Sequence, residues 1–151
     1  MIVRELLPVD RDAWLRLRER LWPDMDEREL RDEQDEISCE PQKNSVLVAE
    51  ESGRLVGFAE VSLRDWADGC DSRPVGYLEA WYVEPDCRRL GIGRALIDVA
   101  EAWTLARGCT EIGSDALLDN LVSHQAHRAL GFEEVHRTVA FKKRLAPRKD
   151  A

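Results

Sequence analysis

Six consecutive residues, Arg88-Arg89-Leu90-Gly91-Ile92-Gly93, have the types and spacing to seat a pyrophosphate. Glycines at 91 and 93 lack the Cβ atoms that would block close approach of the backbone to a ligand. Leu96, Val99, Ala100 and Trp103 follow at helical spacing, and the first amides of such a helix have no acceptor inside it and are open to an anion. A tight turn with glycine used for packing leaves the same trace in a sequence. The spacing Arg-x-x-Gly-x-Gly differs from the dinucleotide pattern Gly-x-Gly-x-x-Gly and from a P-loop, which ends in Gly-Lys-Ser or Gly-Lys-Thr.

Other chemistry-bearing residues exclude more than they assign. His124 and His127 share one helical face, but with His136 they lack a third ligand at fixed spacing, so no metal is expected. Cys39, Cys70, Cys87 and Cys109 contain no Cys-x-x-Cys pair and read as reduced thiols. The net charge of −8 argues against sequence-independent binding to nucleic acid, which needs Lys and Arg to neutralise phosphates. A cationic partner is more natural. Acid is concentrated between Asp24 and Glu36, a stretch that can be a solvated helix face or an attractor of cations.

These groups must be positioned by an ordered framework. In 151 residues, 44% hydrophobic with five tryptophans, there is room for one well-packed domain, expected over 1–145 with a short tail at 146–151. No apolar run approaches the roughly 20 residues of a membrane span. The start, Met1-Ile2-Val3-Arg4-Glu5, lacks the layout of a signal peptide, so the expected location is cytoplasmic.

Ile2–Leu6 reads as a strand, and Asp10 as the cap of a helix carrying Trp14, Leu17 and Leu21. An acidic helix from about Asp26 to Cys39 precedes a hairpin: Val46–Ala49, a turn at Ser52-Gly53, and Leu55–Leu63. Arg64–Pro74 reads as a loop and Val75–Val83 as a strand. The helix after Gly93 closes at Gly108, a short strand covers Glu111–Asp115, and a helix covers Asn120–Leu130. Two further strands are expected at Glu134–Thr138 and Val139–Leu145. Interleaved strands and helices make the whole an α/β or α+β domain.

Together with Tyr82-Val83-Glu84-Pro85 and Ala129-Leu130-Gly131-Phe132, the Arg-x-x-Gly-x-Gly loop resembles the acetyl-CoA signature of the GNAT superfamily of N-acetyltransferases. That resemblance implies the acyl-CoA N-acyltransferase fold, a mixed, mostly antiparallel central sheet flanked by helices. It also implies pyrophosphate contacts from Arg89, Leu90, Gly91, Ile92, Gly93 and Arg94. Main-chain groups of Trp81, Tyr82 and Val83 would line the acetyl end, one N–H polarising the thioester carbonyl.

A narrower resemblance rests on Leu21-Trp22-Pro23, Gly69-Cys70-Asp71-Ser72-x-Pro74-Val75, Leu78-Glu79, Ser114-Asp115 and His127-x-Ala129-Leu130-Gly131-Phe132-Glu133-Glu134. These are similar to the single-domain aminoglycoside 6′-N-acetyltransferases, over nearly the whole chain. The resemblance implies that Glu79 and Asp115 face an aminoglycoside, that Trp22 and Trp66 flank it, that Asn120 touches the coenzyme, and that the protein is a homodimer. Relatives carry an acid where this chain has His136, a further substrate position. Strand alternation places Glu79 and Trp81 on one side, which makes Glu79 the candidate general base. The tyrosine that many GNAT enzymes use as general acid is His127 here. An acetyltransferase for another amine, such as a polyamine or a protein N-terminus, and a non-catalytic cation-binding module are the competing readings.

Overall fold

The computed structural model describes residues 1–150. Along the chain run β1 (Ile2–Glu5), α1 (Arg11–Leu21), α2 (Glu27–Cys39), β2 (Asn44–Glu51), β3 (Arg54–Arg64), β4 (Val75–Val83), α3 (Ile92–Ala106), β5 (Ile112–Ser114) and α4 (Leu121–Ala129). The strands form one sheet in the order β1-β2-β3-β4-β5; the first four are antiparallel and β5 runs parallel to β4. This is the mixed, mostly antiparallel sheet that the motifs implied.

Local chemistry fixes the elements. Ser52 and Gly53, at φ 51° and 76°, supply the left-handed pair that a tight hairpin between β2 and β3 requires. Asp26 caps α2 by accepting from Arg28 N–H at 3.2 Å. Asp10 does not cap α1 as expected. Its carboxylate takes the Leu7 N–H at 2.8 Å and the Arg4 guanidinium at 2.6 and 3.1 Å, fastening β1 to the turn ahead of the helix.

Both faces of the sheet are covered. Leu47, Ala49, Val56, Ala59, Val61 and Leu78 pack under Leu96, Ile97, Ala100 and Trp103 of α3. Val46, Val48, Leu55, Phe58 and Ala80 pack against Trp14 and Leu17 of α1 on the other face. Each such side chain contributes about 1.5–3 kcal/mol on burial, which explains why β2 and β3 are nearly continuous apolar runs.

One ion pair lies inside this core. Arg18 donates Nε to Glu60 Oε1 at 2.8 Å, with the Trp14 indole N–H on the same oxygen at 3.0 Å, and its other nitrogens reach Leu30 O and Glu33. Burial pushes the Glu60 carboxyl upward, and the Arg18 charge opposes that shift.

Two expectations fail beyond Phe132. Residues 133–150 form no strand, so neither Glu134–Thr138 nor Val139–Leu145 joins the sheet. Val135, Val139, Phe141 and Leu145 are 57, 67, 94 and 78% exposed. An alternating segment becomes a strand only on a partner edge, and β5 offers three residues of edge.

Candidate active site

β4 is the element that makes a cleft. β5 pairs with it only from Gly76 to Leu78, while β4 continues to Val83, so its last five residues have no neighbour on that side. The splayed strand leads into the loop Arg88–Gly91. Arg89 and Gly91 stand at φ 62° and 82°, and a Cβ built on Gly91 meets nothing within 4 Å. The first helical hydrogen bond of α3 runs from Ala95 N–H to Gly91 O at 3.0 Å, which leaves the amides of Ile92, Gly93 and Arg94 without acceptors. Left-handed backbone, free amides and open space beside Gly91 together fit a pyrophosphate.

Gly93 has a different reason to be glycine. A Cβ there would lie 2.8 Å from the Trp81 indole, so the missing side chain is what lets Trp81 pack on the start of α3. The Trp81 indole nitrogen is buried and has no partner among the described residues. Arg94 reaches across to Ala129 O at 3.0 Å and ties the end of α4 to the same helix start. Arg88 donates to Val83 O at 2.8 Å and closes the turn after β4. Tyr82 packs on the α1 face and its hydroxyl donates to Glu84, so only its main chain is available to the cleft.

A carboxylate cluster sits beside this cleft. Between Glu60 and Val61 the β3–β4 register slips, from Glu60↔Ala80 to Val61↔Leu78, which makes Glu79 the extra residue of a β-bulge. The bulge overturns the simple alternation: Trp81 joins the α3 cluster, whereas Glu79 turns toward Ser62 and Arg64 on the opposite face. Ser62 Oγ donates to Glu79 Oε1 at 2.7 Å, and Arg64 binds both oxygens, Nε to Oε1 at 2.9 Å and Nη2 to Oε2 at 2.7 Å. Arg64 also lies 3.5 Å from the centre of the Tyr77 ring. The Tyr77 hydroxyl donates to Asp115 at 2.6 Å, and burial followed by that bond pushes the phenol well above its ordinary range. Glu79 and Asp115, expected to face one substrate, are thus joined through Arg64 and Tyr77.

His127 stands edge-on to both Trp81, at 5.8 Å between ring centres, and Phe132, at 5.3 Å. Its Nδ1 is 2.7 Å from the Ser123 carbonyl, which can only accept, so the proton belongs there. Nε2 lies 2.8 Å from the Ser114 hydroxyl, which also reaches Leu78 O at 3.3 Å. The imidazole is held at the cleft wall and connected to β5.

The remaining expected residues separate. Trp66 is 58% exposed in the loop after β3. His136 is exposed, 3.5 Å from Asp68. Trp22 is half-buried beside the α1 cluster, with the Arg18 guanidinium 4.8 Å from its ring. Asn120 is the N-cap of α4, its Oδ1 accepting from Ser123 N–H at 3.1 Å. Arg64, Ser62 and Tyr77 enter the site with no signal in the sequence beyond their places on strands, because cross-strand neighbours are set by register. No three His, Cys, Asp or Glu side chains form a metal-binding group among the described residues.

The chain is similar to known proteins over nearly its whole length. An aminoglycoside N(6′)-acetyltransferase type 1 of Stenotrophomonas maltophilia is 42% identical over 146 residues, covering 96% of this chain and 94% of the relative. The crystal structure of the 6′-N-acetyltransferase AAC(6′)-IG from Acinetobacter haemolyticus superposes with a TM-score of 0.91 at 35% identity, covering 97% of this chain and 100% of that one. AAC(6′)-Iy in complex with a bisubstrate analogue, CoA-S-monomethyl-acetylneamine, has a TM-score of 0.89 at 33% identity, covering 95% and 98%. With the family profile matching residues 11–132, through β4, the glycine loop and α4 to Phe132, the chain belongs to the Acetyltransferase (GNAT) family.

Proposed function

We propose that the protein transfers an acetyl group from acetyl-CoA to the 6′-amine of an aminoglycoside, in the cytoplasm and as a homodimer. The observation that carries this reading is the adjacency of two unlike sites: a diphosphate-fitting cleft at the β4–α3 junction and a pair of carboxylates, Glu79 and Asp115, on the strands that border it. Relatives named as aminoglycoside N(6′)-acetyltransferases, similar over nearly the full length, support the substrate class. The exposed side chains of Val135, Val139, Phe141 and Leu145 support the dimer, since a second copy would cover them.

Acetyl-CoA, when bound, supplies an acetyl thioester as the electrophile. The amides of Ile92, Gly93 and Arg94 would hold its pyrophosphate, with Arg89 and Leu90 shaping the approach, and the unpaired main chain of Trp81–Val83 would border the acetyl end, offering an N–H to the carbonyl. An alkyl ammonium cannot attack until it loses a proton, and Glu79, directly or through water, accepts it. Asp115 pairs with a second ammonium group of the polycation. His127 is the donor to the leaving thiolate, through a proton at Nε2, the nitrogen that faces Ser114. Trp66 is the aromatic wall, and His136 takes a position at the rim.

The decisive experiment measures coenzyme A release with two aminoglycosides that differ only in carrying an amine or a hydroxyl at 6′. Turnover with the amine alone is the expected result. Comparable turnover with spermidine or a short peptide would move the assignment to another amine, and ligand binding without thiol release would make the protein a binding module.

A further inference from the structure

Arg64 has no task in the chemistry proposed above, yet it occupies the middle of the site. Its guanidinium takes both oxygens of Glu79 and lies flat against Tyr77, whose hydroxyl is committed to Asp115. It therefore fills the position between the two carboxylates where the substrate's ammonium groups are expected. Glu79 in turn holds the Arg64 side chain more firmly in its charged form. The arginine is the last residue of β3 and its side chain is 43% exposed, with exposed Asp65 and Trp66 following. It can leave for water without unpacking the core, and the carboxylate it would leave behind still has Ser62 as a donor.

Resting on the aminoglycoside reading, we infer that Arg64 is an internal competitor for substrate, seated as a stand-in cation between Glu79 and Asp115 and exchanged out when a polycation binds. A site occupied by its own side chain most of the time shows an affinity reduced by the fraction of time it is open. If the guanidinium is seated about nine-tenths of the time, apparent affinity is about tenfold weaker than the open site would give. The same pairing keeps Glu79 from accepting a proton until a substrate has displaced the arginine, so binding and activation of the base are one event.

The test is steady-state coenzyme A release with the full-length protein and kanamycin as the substrate. Arg64→Met keeps the aliphatic stem over Tyr77 and removes the cation; Arg64→Lys keeps the charge and loses the two-pronged geometry. KM for kanamycin should fall about three- to tenfold in Arg64→Met and less in Arg64→Lys. Millimolar methylguanidinium should refill the vacated seat, raising KM of Arg64→Met back toward wild type while barely affecting the wild-type enzyme. A KM that is unchanged or higher in both variants overturns the inference, as does a collapse of kcat at constant KM, which would make Arg64 a positioning residue for Glu79. If Arg64→Met does not fold, the Arg64→Lys result decides by the same criteria. Wild-type protein that turns over no aminoglycoside at all overturns the functional reading itself, a failure distinct from turnover with unaltered KM.

Discussion

Gly91 and Gly93 stand two residues apart and answer different constraints. Gly91 is left-handed and borders open space, so its Cβ is disfavoured by backbone conformation and not by any neighbour in the protein. Gly93 borders Trp81, so its Cβ is excluded by the protein itself. Gly91→Ala should cost about 1–2 kcal/mol of stability, from the left-handed dihedrals alone, and weaken acetyl-CoA by about tenfold or more in calorimetric titration. Gly93→Ala should displace Trp81 and, through the edge-on ring contact, His127, so kcat and thermal stability fall together. Gly91→Ala protein with wild-type coenzyme affinity would remove the pyrophosphate assignment. Both glycines were visible in the sequence as one motif. Their separate reasons were not, because Trp81 meets Gly93 only after β4 and α3 have packed.

At the scale of elements, β3 carries both the site and the buried ion pair that braces it. Glu60, Ser62 and Arg64 project from one face of the strand: Glu60 is bound by Arg18 beneath α1, Ser62 and Arg64 by Glu79. Removing one partner of a buried pair strands the other charge, so Arg18→Met should destabilise the protein by about 3–5 kcal/mol in urea unfolding, and Arg18→Met/Glu60→Leu by much less. The sign of the pH dependence follows from Glu60. Burial raises its folded pKa above the unfolded value, and without Arg18 only the Trp14 indole N–H is left to oppose the shift. A raised folded pKa gives stability that is present at low pH and lost as pH rises through it, so the Arg18→Met deficit should be largest at neutral pH and shrink toward about pH 4. A pH-independent deficit, or a double variant as unstable as the single one, would count against Glu60 as the stranded group.

At the scale of the whole molecule, the residues after α4 leave apolar side chains exposed. Phe141 and Val139 are exposed, and the basic run Lys142-Lys143-Arg144 follows them in a protein of net charge −8. If a second copy covers this segment, Phe141→Asp should halve the molecular mass in light scattering while leaving the monomer folded, since that ring touches little of its own chain. An unchanged mass would place the dimer interface elsewhere or remove the dimer. Among the described residues no helix is long and apolar enough to cross a membrane.

Residue types and short-range spacing determined the element order up to α4 and the glycine loop at the start of α3, because capping, turn conformation and helical periodicity act over a few residues, while the family was legible through the resemblance of the motifs. The bulge at Glu79, the Arg64 and Ser62 contacts, the partnering of Asp115 by Tyr77 and the division of labour between Gly91 and Gly93 were decided only in the tertiary structure. Each depends on strand register or on packing between segments 12 to 38 residues apart, from Trp81 to Gly93 and from Tyr77 to Asp115. One inserted residue in β4 moves Glu79 to the opposite face from Trp81, and no local pattern in Leu78-Glu79-Ala80-Trp81 records that insertion.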